Sequence, residues 1–255
     1  MEKPFTLNSE QLRYEDFDSV RDEVLRDLLE SRYDQIIQKL SKIGSKHYHQ
    51  DESVEIYNRF KMIKVYDTSV SKKYNIPYVH ASFVDRFVTC QEPLPKDHSI
   101  FQHFIFKSDI SLIISLKEDL HYFDKNQLIE LIEENEVFKV EKFLIEQKEV
   151  VRVMCYIWED DNIITPDQMD QLYSYISKNF AAFYQKYTTL VHCKAGVGRT
   201  GTFLMYSLLF EMSNSGTKIT PEIFVDVFLN MRKSRNHLVY NQKQLKFLVD
   251  CFLLK

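Results

Sequence analysis

Apolar positions along the chain change period several times. Val20, Val24, Leu28, Leu29, Ile36, Ile37 and Leu40 recur near a 3.6-residue spacing among acids and bases. This predicts one amphipathic helix over 16–43 with Gly44 as its stop. "YVHASFV" (78–84) alternates and predicts a strand, "QEPLPKD" (91–97) is a proline-punctuated loop, and 99–107 has a helical pattern. "SLIISL" (111–116) and "TTLVHC" (188–193) are short apolar runs of the kind found in buried strands. Further strands are predicted within 137–157, which includes "EVVRVMCYIW". Met169, Leu172, Tyr173, Ile176 and Phe180 share one face of a helix predicted over 166–186. More helices are predicted at 199–212, 220–233 and 241–253. Strands and helices interleave, so the expected class is α/β. There is no internal repeat or low-complexity tract.

With 255 residues, 44% hydrophobic and 27% charged, the chain can bury a sizeable core as one large domain or two small ones. A net charge of −4 gives no basic character, so nucleic acid is not an expected partner. Cys90, Cys155, Cys193 and Cys251 show neither CxxC pairing nor zinc-ligand spacing. No metal or cofactor site is therefore expected, and a reducing, cytoplasmic setting is. The N-terminus lacks the apolar core of a secretory leader, and no apolar stretch is long enough to span a membrane.

"VHCKAGVGRTGTF" (191–203) places Gly196, Gly198 and Gly201, three of the chain's five glycines, within six positions. The predicted local order is strand, loop, helix. Such a loop turns backbone N–H groups toward one point beside the positive end of a helix dipole, which suits a dianion such as phosphate. Arg199 adds a planar, bidentate donor pair. The same surroundings favour a thiolate at Cys193, and a thiolate beneath a bound phosphoryl group is placed to attack phosphorus. His, Cys, five residues, Arg and a hydroxyl arise together by chance in on the order of one chain in a few thousand, given average residue usage.

"HCKAGVGRTG" resembles the signature loop of the cysteine-dependent protein tyrosine phosphatases. "YNRF" (57–60) is similar to that family's phosphotyrosine-recognition loop, and "YVHASFV" to its Y-I-N-A-S strand. "TCQEPLP" (89–95) is similar to its T-Q-G-P-L-P stretch, and "WED" (158–160) stands where it carries Trp-Pro-Asp. "MRKSR" (231–235) and "QLKF" (244–247) resemble its C-terminal arginine and glutamine segments. Order and spacing agree over 57–254. The resemblance implies a highly twisted mixed sheet flanked by helices, with residues 1–50 as a helical extension packed on a catalytic domain spanning 51–255.

The resemblance also implies roles. Cys193 is the nucleophile, and Arg199 binds the phosphoryl oxygens. Thr200 hydrogen-bonds the cysteine sulfur, and His192 supports the loop from behind. Asp160 is the general acid, with Asp161 the one-residue alternative. Gln244 places water, and Arg232 and Arg235 brace the site. Lys194, Ala195, Gly196, Val197 and Gly198 line the phosphate cradle, with Phe60 and Tyr240 beside the substrate. Several positions depart from the family pattern. Glu159 replaces its proline, Phe60 its stacking tyrosine, Met62 its backbone-holding aspartate, Lys194 its serine and Tyr240 its first glutamine.

The expected function is hydrolysis of protein phosphotyrosine through a phosphocysteine, without metal. The partner is a phosphotyrosine protein, with phosphoinositide as the alternative. A non-catalytic phosphotyrosine-binding module is a further alternative. Sparse glycine with abundant Lys, Asn, Ile and Phe is consistent with a protein delivered into a host cell.

Overall fold

The computed structural model describes residues 9–48, 52–118 and 121–254. The leader reading at residues 1–8 and the domain boundary at residue 50 lie outside them. Seven strands form one mixed sheet: β1 (Ala81–Val84), β2 (Phe87–Cys90), β3 (Leu112–Ser115), β4 (Leu128–Glu134), β5 (Phe138–Ile145), β6 (Lys148–Cys155) and β7 (Thr189–His192), in the order β1-β2-β7-β3-β6-β5-β4. β7 runs parallel to both β2 and β3, and β3 parallel to β6, while β1–β2, β5–β6 and β4–β5 are antiparallel.

The parallel centre is why β3 and β7 fall in short, mostly apolar runs, and β2 beside them is buried in the same way. Every residue in them is buried, because helices cover both faces. Successive side chains feed opposite cores. Leu112, Ile114 and Val191 join one cluster, while Ile113 and Leu190 join the other. The larger cluster holds α6 (Pro166–Asn179), α7 (Gly198–Asn214), α8 (Pro221–Ser234), α9 (Gln242–Phe252) and the N-terminal helices. The smaller takes Val70 of α4 (Ser69–Tyr74) and Phe101, Phe104 and Ile105 of α5 (His98–Lys107).

Three sequence expectations need correction. The helix predicted over 16–43 is three helices, α1 (Ser9–Asp18), α2 (Arg21–Leu29) and α3 (Tyr33–Ser45). All three bury residues in one cluster, among them Phe17, Val24, Leu28, Ile36, Ile37 and Leu40, so the apolar period runs on across the breaks. At the second break Ser31 adopts φ 58°, and Leu29, counted in the stripe, is 66% exposed. The helix predicted over 166–186 ends at Asn179 and is followed by a separate 3₁₀ turn, Ala181–Tyr184.

Gly44 does not stop α3, which continues to Ser45. It lets Asn236 approach, since a Cβ there would lie 2.4 Å from Asn236 Cγ. Asn236 cannot step aside. Its Nδ2 donates to Ser41 O and Tyr48 Oη, and its Oδ1 accepts from the His237 N–H. Glycine to alanine inside a helix normally stabilises by about 1 kcal/mol. Gly44→Ala should instead destabilise by roughly 1–3 kcal/mol through overpacking. A denaturant midpoint at or above wild type would contradict the close approach.

Candidate active site

The carboxyl ends of parallel strands, where connections leave in opposite directions, form the natural crevice of an α/β sheet. Residues 193–197 occupy that place between β7 and α7. The structure ties the carbonyls of this loop outward, one after another. His192 Nδ1 bonds Cys193 O at 3.1 Å, and the Glu92 N–H donates to Lys194 O at 3.1 Å. Arg235 donates Nη2–H to Ala195 O (3.2 Å) and Nε–H to Gly196 O (2.9 Å). Val197 O accepts from the N–H groups of Gly201 and Val239. With its carbonyls turned out, the loop turns its N–H groups inward as an anion cradle. Gly196 is required here. It sits at φ +70°, and a Cβ would lie 1.9 Å from Cys90 O.

Phe60, Asp160, Cys193, Ala195, Val197, Gly198, Tyr240 and Gln244 line one cleft of about 140 Å³, together with Ile63 and Asp161. Cys193 is almost wholly buried at its base. Arg199, 4% exposed, donates Nη1–H to Trp158 O (2.6 Å) and Nη2–H to Asp160 Oδ1 (2.8 Å). The loop bearing Asp160 is thus folded over the cradle. Asp160 Oδ2 lies 3.8 Å from Lys194 Nζ at the rim.

Gln244 is buried, and its Oε1 accepts from the Tyr240 N–H at 3.0 Å. Tyr240 is half exposed and Met62 is 80% exposed. Thr200 makes no hydrogen bond to the Cys193 sulfur in this structure. Arg199 Nε, Thr200 Oγ1 and Gln244 Nε2 are buried without a partner among the described residues, and of these Gln244 lines the cleft.

Behind the cradle, Cys193 O can only accept, so His192 Nδ1 carries the proton. The neutral ring's Nε2 then accepts from Tyr122 Oη at 3.0 Å. His80 is oriented in the same way, with Nε2–H donating to Ile63 O and Nδ1 accepting from Arg235 Nη2. Burial holds His80, His192 and His237 at a pKa of about 3, with the Arg235 charge adding to the effect at His80 and the Arg232 and Arg235 charges at His237.

These values lie below the unfolded histidine value of about 6.5. Between about pH 6.5 and pH 3 the unfolded chain therefore takes up protons that the folded chain refuses. The stability from neutral burial is intact above pH 6.5 and lost as pH falls toward 3. We expect unfolding free energy to fall on acidification below pH 6.5, by up to about 1.4 kcal/mol per pH unit for each histidine. His192→Gln should shallow that slope, and an unchanged slope would refute the assignment.

Some supporting residues carried no sequence signal. Tyr122 meets His192 from 70 positions away, and His80 meets Arg235 from 155. Gln91 fixes the Tyr57–Phe60 loop to the end of β2, accepting from the Arg59 N–H (2.8 Å) and donating to Tyr57 O (2.6 Å). It lay within a motif already recognised, yet its bonding is visible only in three dimensions. Arg235 matches its expected bracing role in position. Arg232 is also fully buried, but it contacts Val239 O and Asn236 rather than the loop itself.

The model of the family described as "Protein-tyrosine phosphatase" matches residues 55–254. Tyrosine-protein phosphatase 99A of Drosophila melanogaster is 26% identical over 243 residues, a match covering 77% of this chain and 18% of that protein. Tyrosine-protein phosphatase non-receptor type 20 of Mus musculus is 24% identical over 230 residues, covering 77% of this chain and 53% of that protein. The chain therefore spans about half or less of the length of these relatives. Among solved structures, PTPN18 in complex with HER2 phosphopeptides superposes with a TM-score of 0.73 at 19% identity, covering 93% of each chain. The catalytic domain of human protein tyrosine phosphatase non-receptor type 18 gives 0.67 at 20% identity, covering 90% of this chain and 94% of that one. At these identities the structures show a shared fold. The family match extends over most of the chain and includes the whole cradle, and on that ground the chain belongs to the protein-tyrosine phosphatase family.

Proposed function

We propose that the chain hydrolyses phosphotyrosine in proteins through a phosphocysteine. The observation that carries this reading is that Cys193, Asp160 and Gln244 line one cleft, with Asp160 held on the Arg199 guanidinium. The Cys193 thiolate attacks phosphorus, and the P–O bond to the aryl group breaks. Asp160 gives its proton to the departing phenolate. Arg199 and the loop N–H groups hold the equatorial oxygens, supplying in place the positive charge that stabilises the transition state. Water held by the Gln244 amide then attacks phosphorus and loses a proton to Asp160. The P–S bond breaks, and Cys193 leaves as the thiolate. Phe60 walls the ring, and the half-exposed Tyr240 flanks the entrance.

Specific observations favour a second substrate class. Lys194 reaches the rim, and Met62 stands exposed where the family's peptide-holding aspartate is absent. Phosphoinositide is therefore the alternative substrate, and a binding module without turnover is the remaining reading. The testing experiment measures phosphate release from a phosphotyrosine peptide panel beside a phosphoinositide panel, each with and without EDTA. Turnover of the peptides, unaffected by chelator, is expected. Faster release from the lipids would transfer the assignment, and binding without release would favour the module.

In the same reading, residues 1–50 extend a catalytic domain spanning 51–255. The start of the family match at residue 55 supports that division. We place the protein in a reducing compartment, the cytoplasm of its own or of a host cell. Four free, buried cysteines support this, and no helix among the described residues is long and apolar enough to cross a membrane.

A further inference from the structure

The loop that carries Asp160 lacks the proline that would restrict its backbone, having Glu159 instead. Its turn places Asp161 at φ 58°. Trp158 Nε1–H donates to Asn162 O at 2.9 Å, and the Asn162 amide donates to Glu159 Oε2 at 3.1 Å. These bonds lie within the loop and travel with it, so they cannot hold it over the cradle. Only contacts to the body of the domain do that. Arg199 supplies two, but its bond to Asp160 must be released when a phosphoryl group takes the guanidinium.

Two more contacts come from the start of α9. Asn241 Nδ2–H donates to Asp161 O at 3.1 Å, and Lys243 Nζ donates to Asn162 Oδ1 at 3.4 Å. Asn241 has a second attachment. Its Oδ1 accepts from the Gln244 N–H at 3.0 Å, capping α9. One side-chain amide therefore bonds the acid loop through its nitrogen and the Gln244 backbone through its oxygen.

We infer that Asn241 is a positioning residue that latches the acid loop closed and ties closure to the seating of Gln244. The inference rests on the phosphatase reading above. The latch sets how often Asp160 is in place when the aryl–oxygen bond breaks, and it acts on the same closed state in which Gln244 faces the cleft. A solvent-accessible hydrogen bond of this kind shifts the closed-to-open ratio by a factor of roughly 3–10. It should therefore tune the rate of proton delivery without deciding whether catalysis occurs.

Asn241→Asp separates the two attachments. Aspartate is a good N-cap and keeps an oxygen for the Gln244 N–H, but it has no N–H to offer Asp161 O. Asn241→Ser also keeps a cap oxygen, is too short to reach the loop, and controls for the added charge. Trp158 is the chain's single tryptophan, so its emission reports loop position directly.

With a phosphotyrosine peptide, whose leaving group needs the proton, kcat should fall roughly 3–10-fold in both variants. With an aryl phosphate whose phenolate leaves unprotonated, kcat should change by less than about twofold. Trp158 emission, recorded free and with saturating inorganic phosphate, should shift from the wild-type value in both variants. Wild-type emission and kinetics in both would overturn the latch. Equal losses on the two substrates would overturn it as well, since those point to the cap alone. If the wild type turned over neither substrate, the phosphatase reading would fail, and the emission comparison would still decide the latch.

Discussion

Replacing Cys193 by serine is expected to abolish phosphate release while leaving phosphotyrosine binding intact. The serine hydroxyl is a far weaker nucleophile at neutral pH than a thiolate, and the neighbouring histidine is not free to activate it. His192 is neutral, but its Nδ1 proton is committed to Cys193 O and its Nε2 to Tyr122 Oη. Turnover should fall by at least roughly 10⁴-fold, as when the nucleophile is removed from other covalent hydrolases. The cradle should survive, because its carbonyls are held by Arg235, Glu92 and Val239 rather than by the thiol. Rapid-quench kinetics and equilibrium binding of a phosphotyrosine peptide test both halves. Turnover within tenfold of wild type in a clean preparation would exclude Cys193 as nucleophile.

Asp160→Ala is expected to lower kcat by roughly 10²–10⁴, the usual worth of a positioned acid. The loss should grow as the leaving group becomes more basic. The structure adds a further expectation. The Asp160 carboxylate sits on Arg199 at 2.8 Å and competes with a phosphoryl group for that guanidinium. Its removal should tighten binding of the phosphotyrosine peptide even as turnover collapses. Asp161→Ala should not tighten peptide binding and should cost far less kcat, since Asp161 makes no ion pair among the described residues, and any loss it shows is the strain of alanine at φ 58° in the turn. If Asp161→Ala alone gave the leaving-group signature, the acid would be one residue along.

The cradle was legible in the sequence because its chemistry is local. Cys193 and Arg199 are six positions apart, and one strand–loop–helix unit brings them together without help from elsewhere. The buried strands β3 and β7 were legible for a related reason, as burial on both faces leaves a short, mostly apolar run, whereas β2 (Phe87–Cys90) was not read as a strand. β4 was not legible. "LIELIEE" spaces its apolar residues at 128, 129, 131 and 132, which has no two-residue period. As an edge strand it is exposed throughout and has register shifts against β5. No buried face imposes alternation on it, and its glutamates discourage pairing with another chain's edge.

The N-terminal helices show the opposite failure. Their apolar period was real, but a period records only which side faces the core. It is blind to a left-handed residue such as Ser31, and it made Gly44 look like a stop when its small size serves a neighbour 192 positions away, at Asn236.

Local order along the chain was thus sufficient for the class of fold and for placing Cys193 and Arg199 in one strand–loop–helix unit, because these depend on residue type and short spacing, whereas the candidate acid came from the family resemblance. Arg235 holding Ala195 and Gly196, Tyr122 setting the His192 tautomer, and Asn241 reaching the acid loop depend on side chains that meet partners 39 to 80 positions away. Nothing in a linear pattern encodes which distant donor meets which carbonyl. That pairing is settled only when the sheet and its helices pack, because only then does each buried polar group have to find its partner.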